Sequence, residues 1–478
     1  MLNPPFLPKY SRFSRSPAVT RSGTIYYPLW HAYATGVLEK EGHNVKLVDA
    51  PADGLSREDC YSIAKEFNPG LVVVYTSTPS IYNDVEVAGG IKDLLPGSFT
   101  VLTGPHVSAL PEESLNIDRR IDAVARGEYD MTITELASRL EKKESVKGVR
   151  GVTLREGNKI ISEPDREFIE DLDSLPFVSE VYKKHLTIEN YFYAHCRFPV
   201  ISIFTSRGCY GRCNYCVYPE KMFGRRQRQR SPENIVAEFE YIAKDLPQVK
   251  EVLIDDDTFS FNQEHTLKFC ELMIKRNIKI PWTVECRANL KYETMVMMKR
   301  AGCRLIVIGF ESADDEVLKK IKKGITFEMM KKFVTDAKRA GIMLHSCFMV
   351  GNPGDTKETL KVSLKFAKEI NADTCQFFPL MVYPGTEAYN WAKENGYLKT
   401  TDYRKWLTDE GLHNCVISTP ELTAEELVDF CDYARKKYYL NPRYLTYKLA
   451  QALRDPEERS KTFKSARTFI KYLFLKNS

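Results

Sequence analysis

The chain has 478 residues, 43% of them hydrophobic and 28% charged, which excludes a disordered chain and suggests two or three domains rather than one core. No run reaches the ~18 apolar residues of a membrane span, and the proline-broken "MLNPPFLPKYSRF" lacks the apolar stretch of a signal peptide. Twelve cysteines without such a signal predict reduced thiols in the cytoplasm. The net charge of +5 is uneven: residues 435–478 hold twelve Lys/Arg against three Asp/Glu, a balance of +9, so the remainder is about −4.

Residues 1–145 alternate strand-length apolar runs with helical patterns. "VKLVDA" (45–50), "LVVVYT" (71–76) and "FTVLTG" (99–104) read as strands; "SREDCYSIAKEF", "DVEVAGGIKDLL" and "MTITELASRLEKK" read as helices. This predicts an α/β, doubly wound, Rossmann-like domain, although its first strand keeps only Met1 and Leu2. Its ligand crevice belongs at the carboxyl ends of the strands. Those ends carry Thr76, Ser77 and Thr78, then Gly104 and His106, then Gly127 and Glu128. Such small or hydroxyl-bearing residues let a flat, bulky ligand approach the backbone, and equally suit ordinary turns. A GxGxxG fingerprint is absent, which counts against NAD or FAD.

A linker is expected over 146–194, marked by the proline-punctuated stretch 161–180. Between 195 and 395, six strand candidates alternate with helices, and polar residues gather just after each apolar run. That is the pattern of a partial (β/α)6 barrel with its chemistry on the C-terminal rim. A helical region is expected over 396–478. "TAEELVDFCDYARKKYYL" opens on a capping threonine. The tail "SKTFKSARTFIKYLFLKNS" suits either a packed helix with a solvated basic face or peripheral contact with an anionic membrane or lipid. The basic run "GRRQRQR" (224–230) is read as a loop at the barrel rim, so no nucleic-acid partner is expected.

That rim begins with "SRGCYGRCNYC". Cys209, Cys213 and Cys216 are spaced C-x3-C-x2-C in a polar loop, with no fourth cysteine nearby. Three soft thiolates that leave a position open suit an iron–sulfur cluster better than a closed zinc site. With Tyr215 as its aromatic residue, the motif resembles the signature of the radical S-adenosylmethionine (SAM) superfamily. The resemblance implies that the three cysteines hold a [4Fe–4S] cluster whose open iron takes the amino and carboxylate groups of SAM. An external one-electron reductant, flavodoxin or ferredoxin, then drives cleavage of SAM to a 5′-deoxyadenosyl radical that takes hydrogen from an unactivated carbon. By the same analogy, Asp256 or Asp257 in "DDDTF" would meet the SAM ammonium and Arg287 its carboxylate. Glu311 and Ser312 would meet its ribose or methionine end, and Asn352 in "VGNPGD" would lie along adenine. Each of these residues also suits an ion pair or helix cap, as Asp314 and Asp355 do.

A doubly wound domain before such a barrel resembles the cobalamin-binding subclass of the superfamily. "LNPP", "VDAP" (48–51), "YTSTPS" (75–80), "LTGPH" (102–106), "ARGEYD" (125–130) and "DSLPF" (173–177) fall where that subclass has its turns and linker. The D-x-H-x-x-G motif is missing, which implies cobalamin with its own base displaced and its tail along Thr76, Ser77 and Thr78. The spacing of "LNPPF…YYPLWHAYATGVLEKEGHNVKLVDAPADGL" resembles the hopanoid-biosynthesis members of cyclitol ether synthase type. That implies ring, C–O or C–C bond formation on a lipid or polyol-lipid, at the inner membrane surface. C-methylation through methylcobalamin is the alternative. RNA methylthiotransferases carry three further cysteines in an N-terminal domain, whereas here the first 195 residues contain only Cys60.

Overall fold

The computed structural model describes residues 1–463. The N-terminal sheet contains β1 (Leu2–Asn3), β2 (Val48–Asp49), β3 (Leu71–Tyr75), β4 (Phe99–Thr103), β5 (Ala123–Ala125), β6 (Val152–Glu156) and β7 (Lys159–Ser162), in the order 2-1-3-4-5-6-7. The first five are parallel. β3 and β4 are nearly continuous apolar runs because helices cover both faces. The 2-1-3-4-5 order is the flavodoxin-like arrangement, whose switch point lies between β1 and β3. The short first strand is filled in only at Leu2 and Asn3, which pair with Val48, Asp49 and Val74.

The expectation of a linker over 146–194 needs correction. β6 and β7 form an antiparallel hairpin that pairs with β5 and covers the edge of the sheet. Their two-residue turn is Gly157-Asn158, and Gly157 takes the positive φ of +59° that such turns require. The same stretch adds a helix, Val178–His185.

The second sheet contains β8 (Val200–Ile203), β9 (Glu251–Ile254), β10 (Trp282–Cys286), β11 (Cys303–Glu311), β12 (Met343–Val350) and β13 (Thr374–Pro379), all parallel and in sequence order. β8 and β13 do not pair, so the barrel stays open. Its open edge is sealed by helix α1 (Ala424–Tyr439). The Tyr439 hydroxyl accepts from the Cys375 N–H (2.9 Å) and donates to the Cys375 carbonyl (2.8 Å). At the bottom, Arg304 binds Glu251 and Glu458, both at 2.9 Å, so the chain beyond helix α2 (Pro442–Arg454) closes the narrow end.

The C-terminal region is not helical throughout. Between 396 and 423 the only helical turn is Tyr403–Trp406, because this segment crosses back to the N-terminal domain. The Val19 N–H donates to the Gly411 carbonyl (2.8 Å), His413 meets Ser16 Oγ (2.9 Å), and the Tyr403 ring packs edge-on against His106. One hydrophobic core runs unbroken from Leu2 through both sheets to Tyr444. No helix among the described residues is long and apolar enough to cross a membrane. The basic tail from Lys464 onward lies outside the described residues.

Candidate functional site

After β8 the chain forms a small ribbon, Ser206–Arg207 against Arg228–Gln229, so the cysteine loop is a closed excursion. At Gly208 (φ +88°) a Cβ would lie 2.5 Å from the Arg226 carbonyl oxygen, so only glycine passes there. The loop is then fixed from three sides. Cys209 N–H donates to Gly224, Asn214 N–H to Ile321, and Ala388 N–H to Asn214. Two donors address the sulfurs: the Gly211 N–H at 3.3 Å from Cys209 Sγ and the Arg287 guanidinium at 3.6 Å from Cys213 Sγ. No trio of His, Cys, Asp or Glu among the described residues is arranged around a single metal ion. Three soft ligands with hydrogen-bond donors on sulfur fit an iron–sulfur cluster.

Beside the loop, the Tyr215 hydroxyl donates to Glu311 Oε1 (3.1 Å), which also accepts from Lys323 (2.9 Å). Glu311 stands at a register break between β11 and β12 with φ +67°, in the left-handed region. Strain at a non-glycine residue of this kind costs about 1–3 kcal/mol and collects at functional sites. Its Oε2 is buried without a partner, as is Asn352 Oδ1 at the end of β12. Both are acceptors that suit the hydroxyl and amino groups of SAM. Ser312 Oγ accepts from Asp314 N–H (3.2 Å). Asp314 caps its helix as expected, but Asp355 does not: Thr356 is the cap, and Asp355 binds Asn352 N–H and Thr359 instead.

The two aspartates named for SAM separate. Asp256 receives the N–H and hydroxyl of both Thr205 and Ser206, at 2.6–3.0 Å. Burial still pushes its carboxyl up to about 6. With four donors it holds the turn after β8 rather than a ligand. Asp257 accepts from the Gly208 N–H (3.1 Å) and pairs with Arg15 (2.5 Å).

The N-terminal residues form a second group. The Ser77 hydroxyl meets Tyr10 (2.8 Å) and Ser80 (2.7 Å), Thr76 donates to the Thr103 carbonyl, and Thr78 meets His106 Nδ1 (3.1 Å). At Gly104 (φ +114°) a Cβ would lie 2.5 Å from the Thr76 carbonyl oxygen. His106 Nε2 is buried without a partner, and burial lowers that imidazole to about 3. An orphaned neutral imidazole among glycine and hydroxyl side chains fits the amide-rich periphery of cobalamin. Segment 4–28 lies over these strand ends, with Phe13 stacked 3.9 Å from Tyr75. Gly127 stays beside these strand ends, its N–H donating to Ser108 Oγ (3.0 Å), but Glu128 belongs elsewhere: it pairs with Arg207 (2.5 Å) and Arg228 (2.8 Å), so it bolts the domain to the barrel.

Sequence reasoning missed the residue that joins the two groups. Arg15, from the N-terminal segment, reaches Asp257, Asp255 (3.5 Å) and Glu285 (3.4 Å) and lies over the Tyr218 ring. Nothing local marks Arg15. Glu285 did carry a signal, a carboxylate inside the strand "WTVEC".

A model of the radical SAM superfamily matches residues 203–367, and a model of the B12 binding domain matches 15–137. The chain belongs to the cobalamin-dependent radical SAM enzymes, and its cofactors are a [4Fe–4S] cluster, SAM and cobalamin. It is 32% identical to an uncharacterised methyltransferase of Pyrococcus horikoshii, over 88% of this chain and 90% of that protein. It is 25% identical to the anaerobic magnesium-protoporphyrin IX monomethyl ester cyclase of Cereibacter sphaeroides, over 88% and 68%. The fold is that of the radical SAM methyltransferase TsrM of Kitasatospora setae, solved with cobalamin and a [4Fe–4S] cluster, with a TM-score of 0.68, 18% identity and 88% of each chain covered.

Proposed function

We propose that this enzyme transfers a methyl group from SAM, through cobalamin, to a carbon of its substrate. The observation that carries this reading is Arg15, which ties the segment over the N-terminal strand ends to the carboxylates beside the cysteine loop. The methyltransferase relative supports it. When bound, the cluster would supply the electron that opens SAM, and cobalamin would carry the methyl group. Cys209, Cys213 and Cys216 would hold the cluster, with the Gly211 N–H donating to Cys209 Sγ and Arg287 to Cys213 Sγ. Tyr215, Asp257, Glu311, Ser312 and Asn352 position SAM. Thr76, Ser77, Thr78, Gly104, His106 and Gly127 would receive cobalamin, while Asp256 and Glu128 hold loop and domain in place. A lipid or polyol-lipid acceptor and the cyclitol-ether reaction gain no support from the relatives given above, of which the methyltransferase is the most extensive match.

The test is anaerobic reconstitution with SAM labelled in its methyl carbon. About four irons per chain and one cobalamin are expected, with label appearing on cobalamin. Cys213→Ala should lose the iron and keep the cobalamin. A cyclase, as in the second relative, would bind the same cofactors and leave cobalamin unlabelled.

A further inference from the structure

The half-barrel has an open interior. On β12 Met343, His345 and Cys347 are partly exposed while Leu344, Ser346 and Phe348 are buried; on β13 Thr374, Gln376 and Phe378 are open while Cys375 and Phe377 are buried. Helices cover the outer face, so the open set lines a lumen. Glu285 is the one open residue of β10, and Asp255 stands at the same level after β9. Tyr26 closes the space from the N-terminal segment, near enough to Glu285, Asp255 and Cys347 to be influenced by their charges.

Three carboxylates, Asp255, Asp257 and Glu285, meet a single cation there, Arg15. The neighbouring cations are already matched, Lys323 by Glu311 and Arg287 by the thiols. SAM, with a sulfonium, an ammonium and a carboxylate, brings one net positive charge. With all three carboxylates ionised, one negative charge is still left over in a half-buried site, where an unmatched carboxylate is costly. A second observation points the same way. Ser202 is fully buried on β8, in register with Leu253, and its hydroxyl has no partner but the neighbouring Asp255. Burial first, and then Asp255, push Glu285 up to about 8, so this is the carboxylate that a further cation would stabilise.

Resting on the methyl-transfer reading, we infer that the lumen selects a substrate bearing a protonated amine, seated between Asp255 and Glu285 with Ser202 as a third polar contact. The class of substrate is therefore a small molecule or exposed side chain whose amine lies near the carbon that receives the methyl group.

The test is calorimetric binding to the reconstituted holoenzyme with SAM, without reductant, using benzylamine against its neutral counterpart benzyl alcohol. Charge-assisted hydrogen bonds predict a preference for the amine of about tenfold or more. Glu285→Gln and Asp255→Asn should each remove most of that preference, and Arg15→Gln should tighten benzylamine by removing the competing cation. Iron content and the cobalamin spectrum of each variant report folding and test the cofactor reading separately. If amine and alcohol bind alike, if neither binds, or if the carboxylate variants keep the preference while retaining both cofactors, the lumen does not select a cation. The methyl-transfer reading would then stand or fall on labelled cobalamin alone.

Discussion

Glu311 combines a left-handed backbone angle, a buried ion pair with Lys323 and an orphaned oxygen. Removing one partner of a buried pair leaves a charge uncompensated and costs about 3–5 kcal/mol, whereas replacing both can be neutral. Glu311→Gln should therefore lower stability in denaturant unfolding, and the double variant Glu311→Gln with Lys323→Met should recover most of it. SAM binding, measured by equilibrium dialysis, should stay weak in both. Recovery of SAM affinity in the double variant would make Glu311 a purely structural residue. That Cys209, Cys213, Cys216 and Tyr215 share one loop was legible in the sequence, because spacing along the chain alone brings them together. Asp256 and Asp257 were not separable there, because which adjacent carboxylate is consumed by Thr205 and Ser206 depends on how the chain turns after β8. Arg15 was invisible for a related reason: its partners lie about 240 residues away.

An open half-barrel leaves backbone groups of β13 without strand partners, and a buried unpaired N–H or C=O costs about 1–3 kcal/mol. The Tyr439 hydroxyl satisfies both groups of Cys375 from helix α1. Tyr439→Phe should therefore destabilise the enzyme by about that amount while leaving iron content unchanged in protein purified at low temperature. Chemical denaturation followed by tryptophan fluorescence reads the first, and an iron assay reads the second. An unchanged midpoint would mean that water replaces the hydroxyl. At this scale the alternation of apolar runs and helix-period segments located both sheets, because burial on two faces writes itself into composition. The hairpin of β6 and β7 escaped although its turn, "EGNK", carries a Gly-Asn signal: prolines downstream at Pro164 and Pro176 set the tone of the whole stretch. Likewise 396–423 passed for helix because its contacts are long-range and leave no period.

That returning segment makes the two domains and the C-terminus one cooperative unit, and two histidines report on it. His106 packs against Tyr403, and His413 binds Ser16, which also meets the Tyr383 hydroxyl. Burial lowers His106 to about 3 and His413 to about 4, from an ordinary value of 6.5. The folded state therefore holds both rings neutral, while the unfolded chain protonates them below 6.5. Their stabilising contribution is complete above pH 6.5 and falls as pH drops, down to about 4 for His413 and about 3 for His106. Each proton taken up only on unfolding contributes a slope of about 1.4 kcal/mol per pH unit within that window. The double variant His106→Gln with His413→Gln should accordingly show a shallower loss of thermal stability between pH 6.5 and 4.5. It will not flatten the profile, since burial also depresses His31, His195 and His345. In the unmodified enzyme, limited proteolysis near pH 5 should cut first within 396–423, before either sheet is attacked. Cleavage that begins in the barrel strands instead would show that the clasp is not where acid acts.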